Sequence, residues 1–165
     1  MPHVFVSLDV RAPKRSERKT YFFWEYKKPP DVAVEIVSNR EGNELGSKLD
    51  TYAAWGIEYY VVFDPDREIS REELQVFARV GEAYRRIADA YLRRLGLGVK
   101  LWTGVFEEVP DTYLRWCDST GSVLLTGQES SVLQSERADR ERVRADSEQR
   151  RADNEQRRAD SEKAR

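Results

Sequence analysis

The stretch Asp31-Val32-Ala33-Val34-Glu35-Ile36-Val37 decides the fold, because it is an almost unbroken β-branched run. Pro29-Pro30 bounds it on one side and Ser38-Asn39-Arg40-Glu41-Gly42-Asn43 on the other. A strand covered on one face alternates apolar and polar residues, whereas a continuous run suits a strand covered on both, with turn residues fixing its ends. Downstream, a helical pattern spans about Glu44 to Trp55, with Gly56 as its C-terminal cap. Glu58-Tyr59-Tyr60-Val61-Val62-Phe63 is then a second strand, stopped by Asp64-Pro65-Asp66. Strand, helix, strand over so short a span is a crossover unit, right-handed if the strands are parallel neighbours.

Working outward, Val4-Phe5-Val6-Ser7-Leu8-Asp9-Val10 alternates like a strand, and residues 11–30 form a long connection with seven basic and two acidic side chains. After the crossover unit, Leu74 to Val80 and Ala83 to Ile87 flank Gly81-Glu82 as a hairpin. Leu97 to Phe106 is another strand, and Tyr113 to Trp116 and Val123 to Leu125 flank a turn at Asp118 to Gly121. The expectation is an α/β domain over residues 1–127 with a mixed central sheet and flanking helices.

A length of 165 residues fits one compact domain, and a net charge of -2 excludes a global basic field, so a nucleic-acid partner must be met by a local patch. Cys117 is the only cysteine, so no intramolecular disulfide can form and a reducing compartment is expected. No apolar stretch approaches membrane-spanning length and no signal peptide is evident, which points to a cytoplasmic protein without a membrane partner.

The charge excess is local, with 19 charged side chains in residues 135–165. There the sequence repeats every seven residues, placing alanines at 138, 145, 152 and 159, while Arg/Glu pairs such as Arg144/Glu148 stand four apart. Each such pair supports a helix by about 0.2–0.5 kcal/mol. Residues 128–165 are therefore expected to form a charged helical tail. A single alanine per heptad makes a poor coiled-coil seam, so a solvated helix is favoured over homo-oligomerisation through this segment.

Glu35 interrupts the apolar run, and a buried carboxylate needs a cation, a hydrogen-bond network or a proton. Asp31 shares its strand face, but four residues put about 13 Å between them. An antiparallel return through residues 11–30 instead brings the His3 end of the first strand near Glu35. Lys48 falls on the helical stripe marked by Leu45, Leu49 and Tyr52, so its ammonium also aims along the core-facing side. Two readings stand for these groups. One is structural, a buried ion pair and a snorkelling lysine. The other is a minimal phosphodiester-cleaving site, in which a carboxylate binds a divalent cation while a lysine orients water or offsets phosphate charge. Tyr52, Tyr59 and Tyr60 read as core and sheet residues.

Pro29 to Ser38, Leu45-Gly46-Ser47-Lys48 with Tyr52, and Gly56-Ile57-Glu58-Tyr59-Tyr60-Val61-Val62-Phe63-Asp64-Pro65 together resemble the Uma-type restriction endonuclease family of the PD-(D/E)XK nuclease superfamily. The similarity continues through Leu101-Trp102 to Leu114-Arg115-Trp116-Cys117-Asp118 and the charged tail. The resemblance implies a restriction-endonuclease-like α/β fold that hydrolyses DNA with Mg²⁺ or Mn²⁺. It assigns Glu35 and Lys48 as catalytic, Lys48 being the lysine displaced onto the helix while Val37 occupies the usual position. Where the family carries a metal-binding Pro-Asp pair, this sequence has Pro2-His3, which makes His3 the second metal ligand. Imidazole suits Mn²⁺ better than the oxygen-seeking Mg²⁺. The family's preceding helix and strand are missing, which implies an N-terminally truncated copy. Lys14, Arg15, Arg18, Lys19, Lys27 and Lys28 are the candidate DNA phosphate contacts. The alternative is a non-catalytic nuclease-fold module that binds DNA or protein and associates through its C-terminal helix.

Overall fold

The computed structural model describes residues 3–11 and 23–163. In chain order the elements are β1 (Val4–Val6), α1 (Phe23–Tyr26), β2 (Val32–Ile36), α2 (Ser47–Ala54), β3 (Tyr59–Phe63), β4 (Leu74–Val80), β5 (Ala83–Ile87), β6 (Tyr91–Leu92), β7 (Leu97–Phe106), β8 (Val109–Cys117) and α3 (Gly127–Lys163). They fall into two units, one ending at Leu124 and the other beginning at Leu125.

In the first unit a five-stranded sheet runs in the order β1-β2-β3-β4-β5. β2 and β3 are parallel and joined through α2, while β1 pairs antiparallel with β2, and β3, β4 and β5 form antiparallel neighbours. β2 and β3 form the buried centre of this sheet, which is why their sequences are continuously apolar.

Alternation along the strands sends side chains to two clusters. Val32, Val34, Tyr59, Val61 and Val76 meet Leu92 and Val99 on one face, while Ala33, Val37, Tyr52, Ile57, Tyr60, Val62 and Phe77 form the other, with Leu45 and Leu49 against them. The crossover helix α2 covers the second face alone. The first face is covered by a separate three-stranded sheet, β6-β7-β8.

The mixed central sheet is thus present as expected, and β6 to β8 add a layer over the face α2 leaves bare. β8 pairs with β7 over its full length, from Gly98↔Cys117 to Phe106↔Val109, whereas Val123 makes only an isolated bridge to Cys117. The turn between them places Glu107 and Glu108 at φ of 49° and 67°. On one face of this ribbon the Arg115 guanidinium lies 5.0 Å from the centre of the Trp102 ring, and Tyr113 sits 6.1 Å from Trp102. A Cβ at residue 104 would overlap that indole, so Gly104 is what allows the ring to lie along the ribbon.

Helix α2 begins at Ser47, three residues after the sequence pattern suggests, because Asn43 to Gly46 form a turn closed by the Gly46 N–H donating to the Asn43 carbonyl at 3.1 Å. After β3, the buried Asp64 carboxylate accepts the backbone N–H groups of Glu68, Ile69 and Ser70, which ties down the loop leading to β4. In the second unit α3 is a single 37-residue helix, and Val132 and Val143 lie exposed on it. Among the described residues no helix is long and apolar enough to cross a membrane.

Candidate active site around Glu35

Position 35 is on β2, on the sheet face that α2 covers, and the side chain is 0 % exposed. The register Val4↔Val34 places His3 opposite Glu35 one step beyond the end of the β1 ladder. His3 Nδ1 stands 2.8 Å from Glu35 Oε2. From α2, Lys48 Nζ approaches the same oxygen at 3.2 Å, and the Tyr52 hydroxyl donates to Oε1 at 2.6 Å. Lys48 and Tyr52 are four residues apart and so share one helix face. Two chain segments, the start of β1 and helix α2, thus meet on the buried carboxylate of a third.

Lys48 has a second acidic partner. Its ammonium donates to Glu44 Oε1 at 3.0 Å, and Glu44 is itself buried, with its backbone carbonyl held by the Tyr60 hydroxyl at 3.0 Å. Burial pulls the Lys48 pKa down, but the Glu44 hydrogen bond and the Glu35 and Glu44 charges outweigh it and hold the ammonium above its usual range. Burial, followed by the Glu35 carboxylate, drives the Tyr52 hydroxyl far above the ordinary tyrosine range, so it stays a donor.

The imidazole has a conflict of roles. The Ile36 N–H also points at Nδ1, at 3.2 Å. A proton on Nδ1 serves the contact with Glu35, whereas a lone pair serves the contact with Ile36. If that lone pair turned from the Ile36 N–H to a cation, Nδ1 and Oε2 would be two ligand atoms 2.8 Å apart. Neighbouring ligands on one cation with bonds of ~2.1 Å stand ~3 Å apart, so the pair fits as adjacent ligands. One nitrogen and one oxygen suit Mn²⁺ better than Mg²⁺. Among the described residues no three His, Cys, Asp or Glu side chains come together to hold a metal ion.

Of the residues singled out from sequence, His3, Glu35 and Lys48 are brought together, and Asp31 is not. Asp31 lies just ahead of β2, at the end away from Glu35, where its carboxylate accepts the Leu8 N–H at 2.7 Å and an ion pair from Lys28 at 2.8 Å. Lys28 also donates to the Leu8 carbonyl at 2.8 Å and so ties the β1 and β2 ends together. Lys27 is exposed. Lys14, Arg15, Arg18 and Lys19 lie outside the described residues.

Sequence reasoning missed two members of the site. Tyr52, read as a core residue, is buried as expected, yet its hydroxyl serves Glu35. Glu44 was unremarked, although its spacing of four residues before Lys48 was a signal for an ion pair.

In comparison with known proteins, the model of the Uma2 family matches residues 1–94. That span contains β1 to β6, including His3, Glu35, Glu44, Lys48 and Tyr52. No curated protein and no solved structure matches the chain at a significant level. The mixed α/β architecture accords with a restriction-endonuclease-like fold, and the family relation points to a nuclease-type function. With more than half its length matched, the chain belongs to the Uma2 family, described as putative restriction endonucleases.

Proposed function

We propose that the chain is a metal-dependent DNA endonuclease domain that hydrolyses phosphodiester bonds at the Glu35 site. The observation that carries this reading is the convergence of His3, at the start of β1, and of Lys48 and Tyr52, on α2, on the single buried carboxylate of Glu35. Glu35 and His3 would hold a divalent cation, Mn²⁺ or Mg²⁺, which when bound supplies Lewis-acid polarisation of a phosphate oxygen and a water of lowered pKa.

The protein's own residues define the rest. Tyr52 fixes Glu35 by donating to Oε1, leaving Oε2 to face His3 and Lys48. Lys48 remains an ammonium at neutral pH, so it serves as a hydrogen-bond donor and a positive charge beside the reacting phosphate, not as the base that deprotonates water. The acidic surroundings make cation binding at Glu35 a precondition for drawing in a polyanion.

A second reading has its own observation. Among the described residues only two metal-ligating side chains meet, one of them a histidine where the resemblance expects an aspartate. That favours a nuclease-fold module that binds DNA or protein without cutting.

The test is cleavage of plasmid and single-stranded DNA with Mg²⁺ or Mn²⁺, comparing the chain with Lys48→Ala and His3→Asp. Cutting in Mn²⁺ that Lys48→Ala abolishes is the expected result, with His3→Asp extending activity to Mg²⁺. Inactivity in every version refutes the nuclease and leaves the binding module.

A further inference from the structure

Glu44 is a buried carboxylate in contact with the site for which hydrolysis itself has no task. Its Oε1 accepts from Lys48 at 3.0 Å, while Oε2 is buried and has no hydrogen-bond partner among the described residues. The carboxylate lies so close to Gly42 that a Cβ there would overlap it. Its main chain is held by Tyr60. Glu44 is therefore fixed in place with one oxygen in use and one to spare.

Lys48 shares Glu35 Oε2 with His3. A cation that uses this oxygen meets the positive charge of the ammonium 3.2 Å from the same atom and competes with it for the carboxylate. An ammonium pushed off the buried Glu35 carboxylate without another partner is disfavoured, because a charge only 22 % exposed is left uncompensated. Glu44 removes that obstacle. Lys48 already touches it, and the second oxygen offers a further acceptor one short swing away.

We propose that Glu44 is a positioning residue: it receives Lys48 when a divalent cation takes Glu35, keeping the ammonium paired and beside the reacting phosphate. This rests on the metal-dependent reading above. It makes Lys48 a tethered competitor for the metal position and Glu44 the anchor of its tether.

The test is Mn²⁺ binding by the full chain, followed by the loss of the free-ion paramagnetic resonance signal, in a double-mutant cycle of Glu44→Gln and Lys48→Met. Lys48→Met removes the competitor and should tighten Mn²⁺ binding by roughly tenfold, while Glu44→Gln removes the receiver and should weaken it by roughly tenfold. In the Lys48→Met background Glu44→Gln should have almost no further effect, because no ammonium is left to receive. An equal weakening in both backgrounds would mean that Glu44 acts only through its charge, and overturns the proposal. Gly42→Ala keeps every charge yet pushes the Glu44 carboxylate away, so it should weaken Mn²⁺ binding as well; unaltered binding there also overturns the tether. If the unmutated chain fails to bind Mn²⁺, the metal reading itself falls and the tether with it. Normal binding that ignores Glu44 and Gly42 sinks the tether alone.

Discussion

Replacing Tyr52 by Phe isolates the hydrogen bond that holds Glu35. The ring stays, so its packing 5.2 Å from Tyr60 and 5.4 Å from Trp55 is kept, and only the hydroxyl donating at 2.6 Å to a fully buried carboxylate is lost. A hydrogen bond to a charged group contributes ~1.5–3 kcal/mol, so Tyr52→Phe should cost about 2 kcal/mol. The chain contains its own control. The Tyr84 hydroxyl donates at 2.9 Å to the neutral Ile57 carbonyl, and Tyr84→Phe should cost only about 1 kcal/mol. With a urea slope of ~1.5 kcal/mol/M, tryptophan-detected unfolding at pH 7 should move its midpoint down by about 1.3 M for the first variant and about 0.7 M for the second. In a Glu35→Gln background the Tyr52 effect should shrink to the size of the neutral bond. Equal midpoints for Tyr52→Phe and Tyr84→Phe at unchanged slope would refute the assignment of a charge-assisted bond at the site.

Tyr52 and Tyr60, whose hydroxyls burial pushes well above their usual range, should make the fold alkali-sensitive. Above about pH 10 the unfolded chain releases these protons and the folded chain keeps them, so stability falls as pH rises, by up to ~1.4 kcal/mol per pH unit for each group. Urea midpoints measured across that range should fall less steeply for Tyr52→Phe; an unchanged slope counts against it. Gly104→Ala should displace the Trp102 indole from beneath Arg115 and cost about 1–3 kcal/mol, visible as a shift in tryptophan emission and a lower melting temperature. A peptide of residues 125–165 should show a circular-dichroism helix signal that does not change on concentration, since one alanine per heptad offers little to bury. A steep rise in helicity with concentration would show that the segment self-associates.

Much of the first sheet was legible because its residues obey the simplest rules. The continuous run 32–37, the hairpin around Gly81 and the parallel pairing across a helix follow from apolar pattern and turn chemistry. The second sheet was not legible as separate, since strand pattern tells how a segment is covered and not which sheet it joins. Leu97–Phe106 reads the same either way; only the bare face left by α2 decides it. At the site, Glu35 and Lys48 were visible as charges on apolar stripes. His3 followed from assuming an antiparallel return, and β1 does pair so. Tyr52 escaped because a buried aromatic ring is its own sufficient explanation in a sequence, and the partner of its hydroxyl appears only in three dimensions. Glu44 escaped because it sits in the turn ahead of α2, where a glutamate is unremarkable.

Glu35 also polices strand pairing. Side chains alternate between the two apolar clusters, so a slip of one residue between β2 and its neighbours would send this carboxylate into the layer of Val32, Val34 and Val61, away from Tyr52 and Lys48. There it would be a naked charge in hydrocarbon, and the mispaired sheet would carry a penalty of several kcal/mol that an all-valine strand would escape. The residue that carries the proposed chemistry therefore also acts as a checkpoint during assembly. A variant with Glu35→Val would lose this discrimination between one register and the next.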